Sequence, residues 1–220
     1  MNHSSTIAWA ILGLHLSFST SLSLAQEVDA RQELDARVQQ FLETHRYDWR
    51  DANVPEADGE VLYDLVLKND YKRALEIGTS TGHSAIWIAW ALSKTGGKLI
   101  TIEINEGRHR GALANIEEAG LSDLVDARLA DAHELVPQLE GPFDFVFVDA
   151  DKGWYANYLQ AVLPKLEVGG CFTAHNVSGR RMRGIASFLD ELESTPGLET
   201  EFIESSRSGL SVSYKRSAEN

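Results

Sequence analysis

The sequence predicts an α/β protein in which a doubly wound, Rossmann-like sheet of seven strands carries helices on both faces. Short apolar runs alternate with segments of helical periodicity from residue 73 to residue 192. The run FDFVFV at 143–148 is continuously apolar, as expected of a strand that is covered on both faces. Two further strand candidates, joined by a turn rich in serine and arginine, indicate a C-terminal antiparallel hairpin.

The elements follow one another in a regular order. Two helices come first, at Gln26 to Arg46 and Glu56 to Lys68, each with an apolar stripe at helical spacing. Five parallel strands are expected at 73–77, 98–104, 125–129, 143–148 and 170–174. The helices that separate or follow them are expected at 83–93, 107–119, 134–139, 155–163 and 180–192. The hairpin is expected at 199–204 and 209–215. Ligands of such sheets bind beyond the carboxyl ends of the strands, so the residues that follow each strand are the candidates for function.

The composition fits one globular domain, which we expect over residues 26–220. The chain has 33 acidic and 20 basic side chains among 220 residues, a net charge of −13. Proteins that bind nucleic acid usually carry a basic face, so no nucleic-acid partner is expected. The one cysteine, Cys171, cannot form an intrachain disulfide and is expected to be a small buried side chain.

Residues 1–25 have the features of an export signal. They contain no charged side chain, Ile7 to Phe18 is mostly apolar, and Ser23 to Ala25 is suited to cleavage before Gln26. The apolar run is short and interrupted by His15, so a stable membrane span is not expected. We expect export to the periplasm or the cell exterior if this signal is genuine. Otherwise the chain is cytoplasmic or anchored to a membrane.

A glycine-containing turn and an acidic residue follow the first two strands. The turn GTSTG at 78–82 lets the backbone approach a ligand at a helix N-terminus, although it differs from the G-x-G-x-x-G of dinucleotide binders. Glu103 lies about 25 residues beyond Gly78, where a carboxylate can accept hydrogen bonds from both hydroxyls of a ribose. Together these features predict a nucleotide-type ligand.

Polar side chains also follow the next three strands. Asp131 either accepts from an adenine amine or caps the following helix. Asp149 and Lys152 follow the fourth strand, and a carboxylate at the edge of a buried strand needs a cationic partner. His175 and Asn176 follow the fifth strand. Because neighbouring strands lie about 5 Å apart, Asp149, His175 and Asn176 can converge as a set of possible metal ligands.

Several motifs in order resemble the cation-dependent, S-adenosylmethionine-dependent O-methyltransferases of the catechol and caffeoyl-CoA type. They are LEIGTSTGHSA, TIEIN, FVFVDADKGWYANY and GLSVSYK, with NVPEADGEVLYDLV resembling the entry segment of that family. The resemblance extends from about Arg46 to Arg216. It implies the class I methyltransferase fold, S-adenosylmethionine and a divalent cation as cofactors, and a small hydroxylated aromatic substrate. Homodimers are common in that family, so a homodimer is a further expectation.

The resemblance assigns roles to individual positions. The cofactor-binding positions that it implies are Val54, Glu76, Gly78, Ser84, Glu103, Asp131 and Asp149. The metal positions are Asp149, His175 and Asn176, and Lys152 matches the general base. Trp154 and Tyr155 are further candidates for the wall of the acceptor site.

His175 departs from the family pattern, which has Asp-Asn where this chain has His-Asn. A site of Asp, His and Asn has one negative charge less and a nitrogen donor, so we expect it to favour Mn²⁺, Fe²⁺ or Zn²⁺ over Mg²⁺. Two alternatives stay open: a metal-independent methyltransferase with His175 or Lys152 as base, and a non-catalytic S-adenosylmethionine-binding protein. A nicotinamide dehydrogenase would share the sheet but would leave Asp149, Lys152 and His175 unexplained.

Overall fold

The computed structural model describes residues 26, 28–49, 52–179 and 184–217. The helices are α1 (28–44), α2 (Glu56–Lys68), α3 (His83–Thr95), α4 (Glu106–Glu118), α5 (Ala132–Gln138), α6 (Tyr155–Val162) and α7 (Ile185–Ser194). The strands are β1 (Arg73–Ile77), β2 (Lys98–Glu103), β3 (Val125–Leu129), β4 (Phe143–Val148), β5 (Leu166–His175), β6 (Leu198–Ile203) and β7 (Leu210–Lys215). The predicted export signal and residues 180–183 of the predicted last helix lie outside the described residues.

The strands form one sheet of seven in the order β3-β2-β1-β4-β5-β7-β6. The first five strands in the sequence pair in parallel, and β7 runs antiparallel to both β5 and β6. The chain leaves β1 towards β2 and β3, then returns to the other side of β1 to form β4. This reversal places a topological switch point between the ends of β1 and β4, where ligands of such sheets bind. The predicted fold class is confirmed.

Both faces of the sheet are covered, which explains the uninterrupted apolar sequence of β4. Phe145 and Phe147 pack in the cluster with α2 and α3, whereas Val146 and Val148 pack in the cluster with α6 and α7. All four side chains are fully buried. Such a strand holds the residues that follow it in a fixed place, because neither face can move without breaking the packing.

The strand β5 is longer than the sequence predicts at both ends. It includes His175, which pairs with Leu210 of β7, so this histidine belongs to the strand and does not follow it. Pairing on both sides, with β4 and β7, carries the strand through residues that lack strand preference. Asn176 then ends the strand in the left-handed conformation, with φ of 62°.

None of the helices in the described ranges has the length and apolar content that crossing a bilayer requires.

Candidate active site at the carboxyl edge of the sheet

A cavity of about 380 Å³ opens at the carboxyl ends of the neighbouring strands β1, β2, β3 and β4. Five of the residues predicted for the site line it: Gly78, Glu103, Asp131, Asp149 and Lys152. They come from four separate segments of the chain. The parallel sheet brings them together because it aligns the carboxyl ends of its strands along one edge.

Gly78 lets the chain turn sharply where β1 ends. Its φ is +104°, a conformation that side chains with a Cβ rarely adopt. A Cβ at this position would lie 3.0 Å from the backbone nitrogen of Ala150, so the segment after β1 runs against the segment after β4. A larger residue would therefore push apart the two segments that form the cavity wall.

Glu103 ends β2 with its carboxylate held in a fixed orientation. The backbone N–H of Ser80 donates to Oε2 at 2.8 Å, and the backbone N–H of Asn105 donates to Oε1 at 2.9 Å. The residue is only 6 % exposed, yet it lines the cavity. Each carboxylate oxygen has a further lone pair, so this group can accept the two hydroxyls of a ribose without rearranging.

Glu76 is fully buried within β1 and has an unused acceptor. Thr101 donates to Oε2, but Oε1 has no hydrogen-bond partner among the described residues. Burial raises the pKa of Glu76 to about 7, although the hydroxyls of Ser84 and Thr101 oppose the shift. Neither Glu76 nor Ser84 lines the cavity itself. An orphaned buried carboxylate oxygen is costly, so this position fits a ligand that brings a cationic or N–H donor.

Asp131 lines the cavity, whereas Val54 lies outside it. Asp131 caps α5, because its Oδ1 accepts from the backbone N–H of His133 at 2.9 Å, and the residue lines the cavity as well. Both expectations for Asp131 are therefore compatible with its position. Val54 does not line this cavity. Its carbonyl oxygen lies 2.8 Å from Nδ1 of His83, and it borders a separate cavity that also includes Trp49.

Asp149 follows β4 and is held through both of its oxygens. Lys152, on a short 3₁₀ turn, donates from Nζ to Oδ1 at 2.7 Å. Nδ1 of His175 lies 3.1 Å from Oδ2. The predicted need of Asp149 for a cationic partner is thus met by side chains of the protein.

His175 contacts a second carboxylate through its other nitrogen. Its Nε2 lies 2.8 Å from Oδ2 of Asp58, a fully buried residue of α2. Burial would by itself lower the pKa of His175, but the hydrogen bonds to Asp149 and Asp58 outweigh it and raise the pKa to about 9. Burial opposes ionisation of Asp58 too, yet its donors hold the pKa of that carboxyl below the usual value. The ring is therefore an imidazolium at neutral pH, between two carboxylates.

Asp58, which contacts the site through His175, was not predicted from the sequence. Ser205 and Ser206, in the turn between β6 and β7, donate their hydroxyl protons to its Oδ1 and Oδ2. One signal was present in the sequence: Asp58 lies on the apolar stripe of α2, in line with Leu62 and Leu65 at helical spacing. An acidic side chain on a buried helix face indicates a specific partner.

The predicted metal ligands do not fit a cation in this arrangement. A histidine binds a metal through a nitrogen that carries no proton. Nε2 of His175 contacts Asp58, and Nδ1 lies 3.1 Å from Oδ2 of Asp149, so a cation could bind Nδ1 only by displacing this contact. Both oxygens of Asp149 are likewise taken, by His175 and Lys152. Within the described ranges, no three side chains of His, Cys, Asp or Glu are grouped so that they could hold a metal ion. Asn176, the third predicted ligand, follows β5 directly in the left-handed conformation, with φ of 62°.

The aromatic residues near the site take different roles. Tyr155 is fully buried and donates from its hydroxyl to the backbone oxygen of His175 at 3.0 Å, so it supports β5 and cannot form the wall of an open acceptor site. Trp154 is 36 % exposed and stacks on His133, with ring centroids 3.8 Å apart. Because His133 lines the cavity, this stacked pair lies at its rim.

Comparison with known proteins shows which family this chain is similar to. The model of the O-methyltransferase family matches residues 27–180. A catechol O-methyltransferase from Niastella koreensis is 41 % identical over 123 residues, 54 % of this chain and 55 % of that protein. A caffeoyl-CoA O-methyltransferase from Eucalyptus globulus is 34 % identical over 132 residues, 58 % of this chain and 53 % of that protein. The chain thus spans about half the length of the curated relatives it matches.

Solved structures extend the similarity over most of the chain. The O-methyltransferase from Bacillus cereus in complex with SAH has a TM-score of 0.72 at 27 % identity, covering 82 % of this chain and 91 % of that chain. The O-methyltransferase TomG from Streptomyces achromogenes in complex with SAM has a TM-score of 0.71 at 27 % identity, covering 82 % and 90 %. With the family model matching well over half of its residues, this chain belongs to the O-methyltransferase family.

Proposed function

We propose that this protein is an S-adenosylmethionine-dependent O-methyltransferase that acts on a small hydroxylated aromatic compound of the catechol type. The observation that carries the proposal is the carboxylate of Glu103, fixed by two backbone N–H groups in the same cavity as Gly78 and Lys152. A carboxylate that can accept from a diol, a close backbone turn and a cationic side chain in one cavity suit a nucleoside cofactor beside a reacting hydroxyl.

The cofactor would be held by residues from the ends of β1, β2 and β3. Glu103 would accept from the ribose hydroxyls, and the unpaired Oε1 of Glu76 would accept from the ammonium group of the methionine part. Asp131, at the N-terminus of α5, would face the adenine. When bound, S-adenosylmethionine supplies an electrophilic methyl group to the acceptor oxygen.

We assign to Lys152 the removal of the proton from the acceptor hydroxyl, or the stabilisation of the oxyanion that is left. Its Nζ lies at the cavity wall, beside Asp149, and its side chain keeps 28 % of its exposure. As an ammonium it would stabilise the oxyanion that forms when the acceptor hydroxyl is deprotonated. As a free amine it would take that proton itself. Either role requires Nζ within reach of the acceptor oxygen.

An aromatic acceptor is supported by the stacked pair of Trp154 and His133. A half-exposed indole at a cavity rim offers a flat surface on which a second ring can stack. The names of the curated relatives, a catechol and a caffeoyl-CoA O-methyltransferase, support the same class of acceptor. Export from the cytoplasm and a homodimer stay predictions from the sequence.

The cation-assisted form of the reaction, predicted from the sequence, is not included in this proposal. Its ligands Asp149 and His175 are both engaged with other charged side chains, so no step is assigned to a metal. Direct use of His175 as a base is excluded from it as well, because an imidazolium between two carboxylates has no free lone pair.

Glu103→Ala tests the cofactor site. We expect S-adenosylhomocysteine to bind wild-type protein with one-to-one stoichiometry in calorimetry, and Glu103→Ala to weaken binding about a hundredfold, since two charge-assisted hydrogen bonds are lost. Glu106→Ala, an exposed acid in the first turn of α4, is the matched control and should bind as the wild type does. Equal affinity of the Glu103→Ala and Glu106→Ala proteins would contradict the proposed ribose site.

Turnover separates the proposal from its rivals. Release of S-adenosylhomocysteine in the presence of catechol or caffeic acid, and not in their absence, would support methyl transfer. Cofactor binding with no transfer to any of a panel of phenolic acceptors would favour a non-catalytic binding protein. Binding of NADH in place of S-adenosylmethionine, followed by fluorescence, would favour a dehydrogenase.

A further inference from the structure

A series of four charged side chains leads from α2 to the wall of the cavity and joins segments that are far apart in the sequence. It passes from Asp58 of α2 through His175 of β5 to Asp149 after β4, and from there to Lys152. The three links measure 2.8, 3.1 and 2.7 Å. We refer to these four residues as the ion chain.

The two contacts of the His175 ring favour a form that carries a proton on each nitrogen. A neutral imidazole has one N–H and one lone pair, so it can donate to only one carboxylate. Here each ring nitrogen faces an oxygen of a different carboxylate, and the ring is only 3 % exposed. A lone pair directed at either oxygen would be repelled, whereas two N–H groups satisfy both. The imidazolium is therefore the form of the ring that satisfies both contacts.

Asp58 is built to hold that imidazolium. It is fully buried, a position that an ionised carboxylate tolerates only with several donors. Ser206 and His175 donate to its Oδ2, and Ser205 donates to its Oδ1. Ser206 is itself oriented, since its Oγ accepts from the backbone N–H of Ser208 at 3.1 Å. Helix α2 and the β6–β7 turn are thus both joined to β5 through one carboxylate.

The formal charges of the ion chain also cancel. The two carboxylates of Asp58 and Asp149 are balanced by the imidazolium of His175 and the ammonium of Lys152. A divalent cation at Asp149 would have to displace two hydrogen-bonded donors and would then lie beside two positive charges. The place where the sequence predicts a cation is already filled by positive charge from the protein.

We propose that the imidazolium of His175, clamped between Asp149 and Asp58, takes the place of a divalent cation in this enzyme, and that Asp58 is the residue that positions it. Asp58 orients His175, His175 fixes Asp149, and Asp149 holds Lys152 at the cavity wall. The catalytic part of this inference rests on the proposed methyltransferase function. The inference that Asp149 is not part of a cation site is independent of that function.

Metal titration of the full chain tests the replacement without any activity measurement. Mn²⁺ is added to wild type, Asp149→Asn and His175→Asp at neutral pH, and the free ion is followed by electron paramagnetic resonance. Calorimetry with Zn²⁺ covers metals that prefer nitrogen ligands. We expect that wild type has no Mn²⁺ or Zn²⁺ site that depends on Asp149, so Asp149→Asn should not reduce metal binding. We expect His175→Asp to bind Mn²⁺ at least tenfold more tightly than wild type, because a carboxylate then replaces the imidazolium beside Asp149.

Two results would overturn the replacement. The first is one Mn²⁺ or Zn²⁺ ion bound by wild type and lost in Asp149→Asn. The second is a folded His175→Asp protein that binds Mn²⁺ no more tightly than wild type does. If His175→Asp does not fold, the comparison of wild type with Asp149→Asn decides alone.

Asp58→Asn tests the positioning role, and Asp64→Asn is its matched control on the exposed face of the same helix. We expect Asp58→Asn to lower kcat at least tenfold while its affinity for S-adenosylhomocysteine stays within about twofold, because Glu76, Glu103 and Asp131 lie outside the ion chain. Asp64→Asn should change neither. A merely structural role would weaken cofactor binding together with kcat.

An unchanged kcat in folded Asp58→Asn would overturn the positioning role. If that variant does not fold, Ser206→Ala removes one hydrogen bond to the same carboxylate oxygen and should lower kcat severalfold, and an unchanged kcat there overturns the role instead. Absence of methyl transfer by wild type itself would count against the proposed function, and the Mn²⁺ titration would still decide the fate of the ion chain.

Discussion

Alkaline pH should remove the stabilisation that the His175 imidazolium gives the fold. Burial alone would lower the pKa of this ring, but hydrogen bonds to Asp149 and Asp58 raise it from 6.5 to about 9. A group with a higher pKa in the folded state stabilises the protein fully below the unfolded pKa, and this contribution is lost as the pH rises through the folded pKa. The stabilisation should therefore disappear between pH 6.5 and about 9.

The size of the effect follows from those two values. Each unit of difference in pKa corresponds to about 1.4 kcal/mol, so the imidazolium contributes roughly 3 kcal/mol to the free energy of unfolding below pH 6.5. This is a large share of the roughly 5–15 kcal/mol that a typical domain has in total. Within the window, the contribution should fall by about 1.4 kcal/mol for each unit of pH.

Urea unfolding of wild type and His175→Gln, measured from about pH 6 to about pH 10, isolates this contribution. Glu76, whose pKa is about 7, titrates in both proteins and cancels in the difference. We expect the difference in the free energy of unfolding, wild type minus variant, to decrease by roughly 3 kcal/mol between pH 6.5 and about 9. A difference that stays flat with pH would refute the conclusion that the folded ring carries both protons.

Two further predictions concern the cavity. Gly78→Ala should abolish S-adenosylhomocysteine binding in calorimetry and destabilise the fold by about 1–3 kcal/mol more than Gly96→Ala does. The new Cβ at position 78 would meet the backbone of Ala150, whereas Gly96, also at positive φ, has open space around it. Equal effects of the two substitutions would contradict the close approach of the chain at Gly78. Lys152→Ala should lower kcat by about a hundredfold or more with cofactor affinity kept, and unchanged turnover would exclude Lys152 from handling the acceptor proton.

The sheet and most of the candidate site could be predicted from the sequence because both depend on local patterns. The bounds of β1 and β4 agree with the apolar runs from which they were predicted. Once the strands are placed, the position of Glu103 follows, since a residue at the carboxyl end of a parallel strand lies at the ligand edge of the sheet. The lining of the cavity by Lys152 follows in the same way.

What the sequence did not provide depends on contacts between distant segments. Asp58 and His175 are 117 residues apart, and only the packing of α2 against the sheet brings them together. The extension of β5 through His175 likewise depends on β7, which pairs with it residue by residue. The chemical types of Asp149, His175 and Asn176 suggested a metal site, whereas Asp58, outside that set, contacts the second ring nitrogen of His175.

Methyl transfer in the presence of excess EDTA tests most directly whether the imidazolium of His175 takes the place of a divalent cation. S-adenosylhomocysteine release would be followed with a catechol-type acceptor before EDTA, after EDTA, and after separate addition of Mg²⁺, Mn²⁺, Fe²⁺ or Zn²⁺. We predict turnover that EDTA leaves unchanged and that no added metal increases. Turnover that EDTA abolishes and a single divalent cation restores would contradict the replacement of the cation by His175.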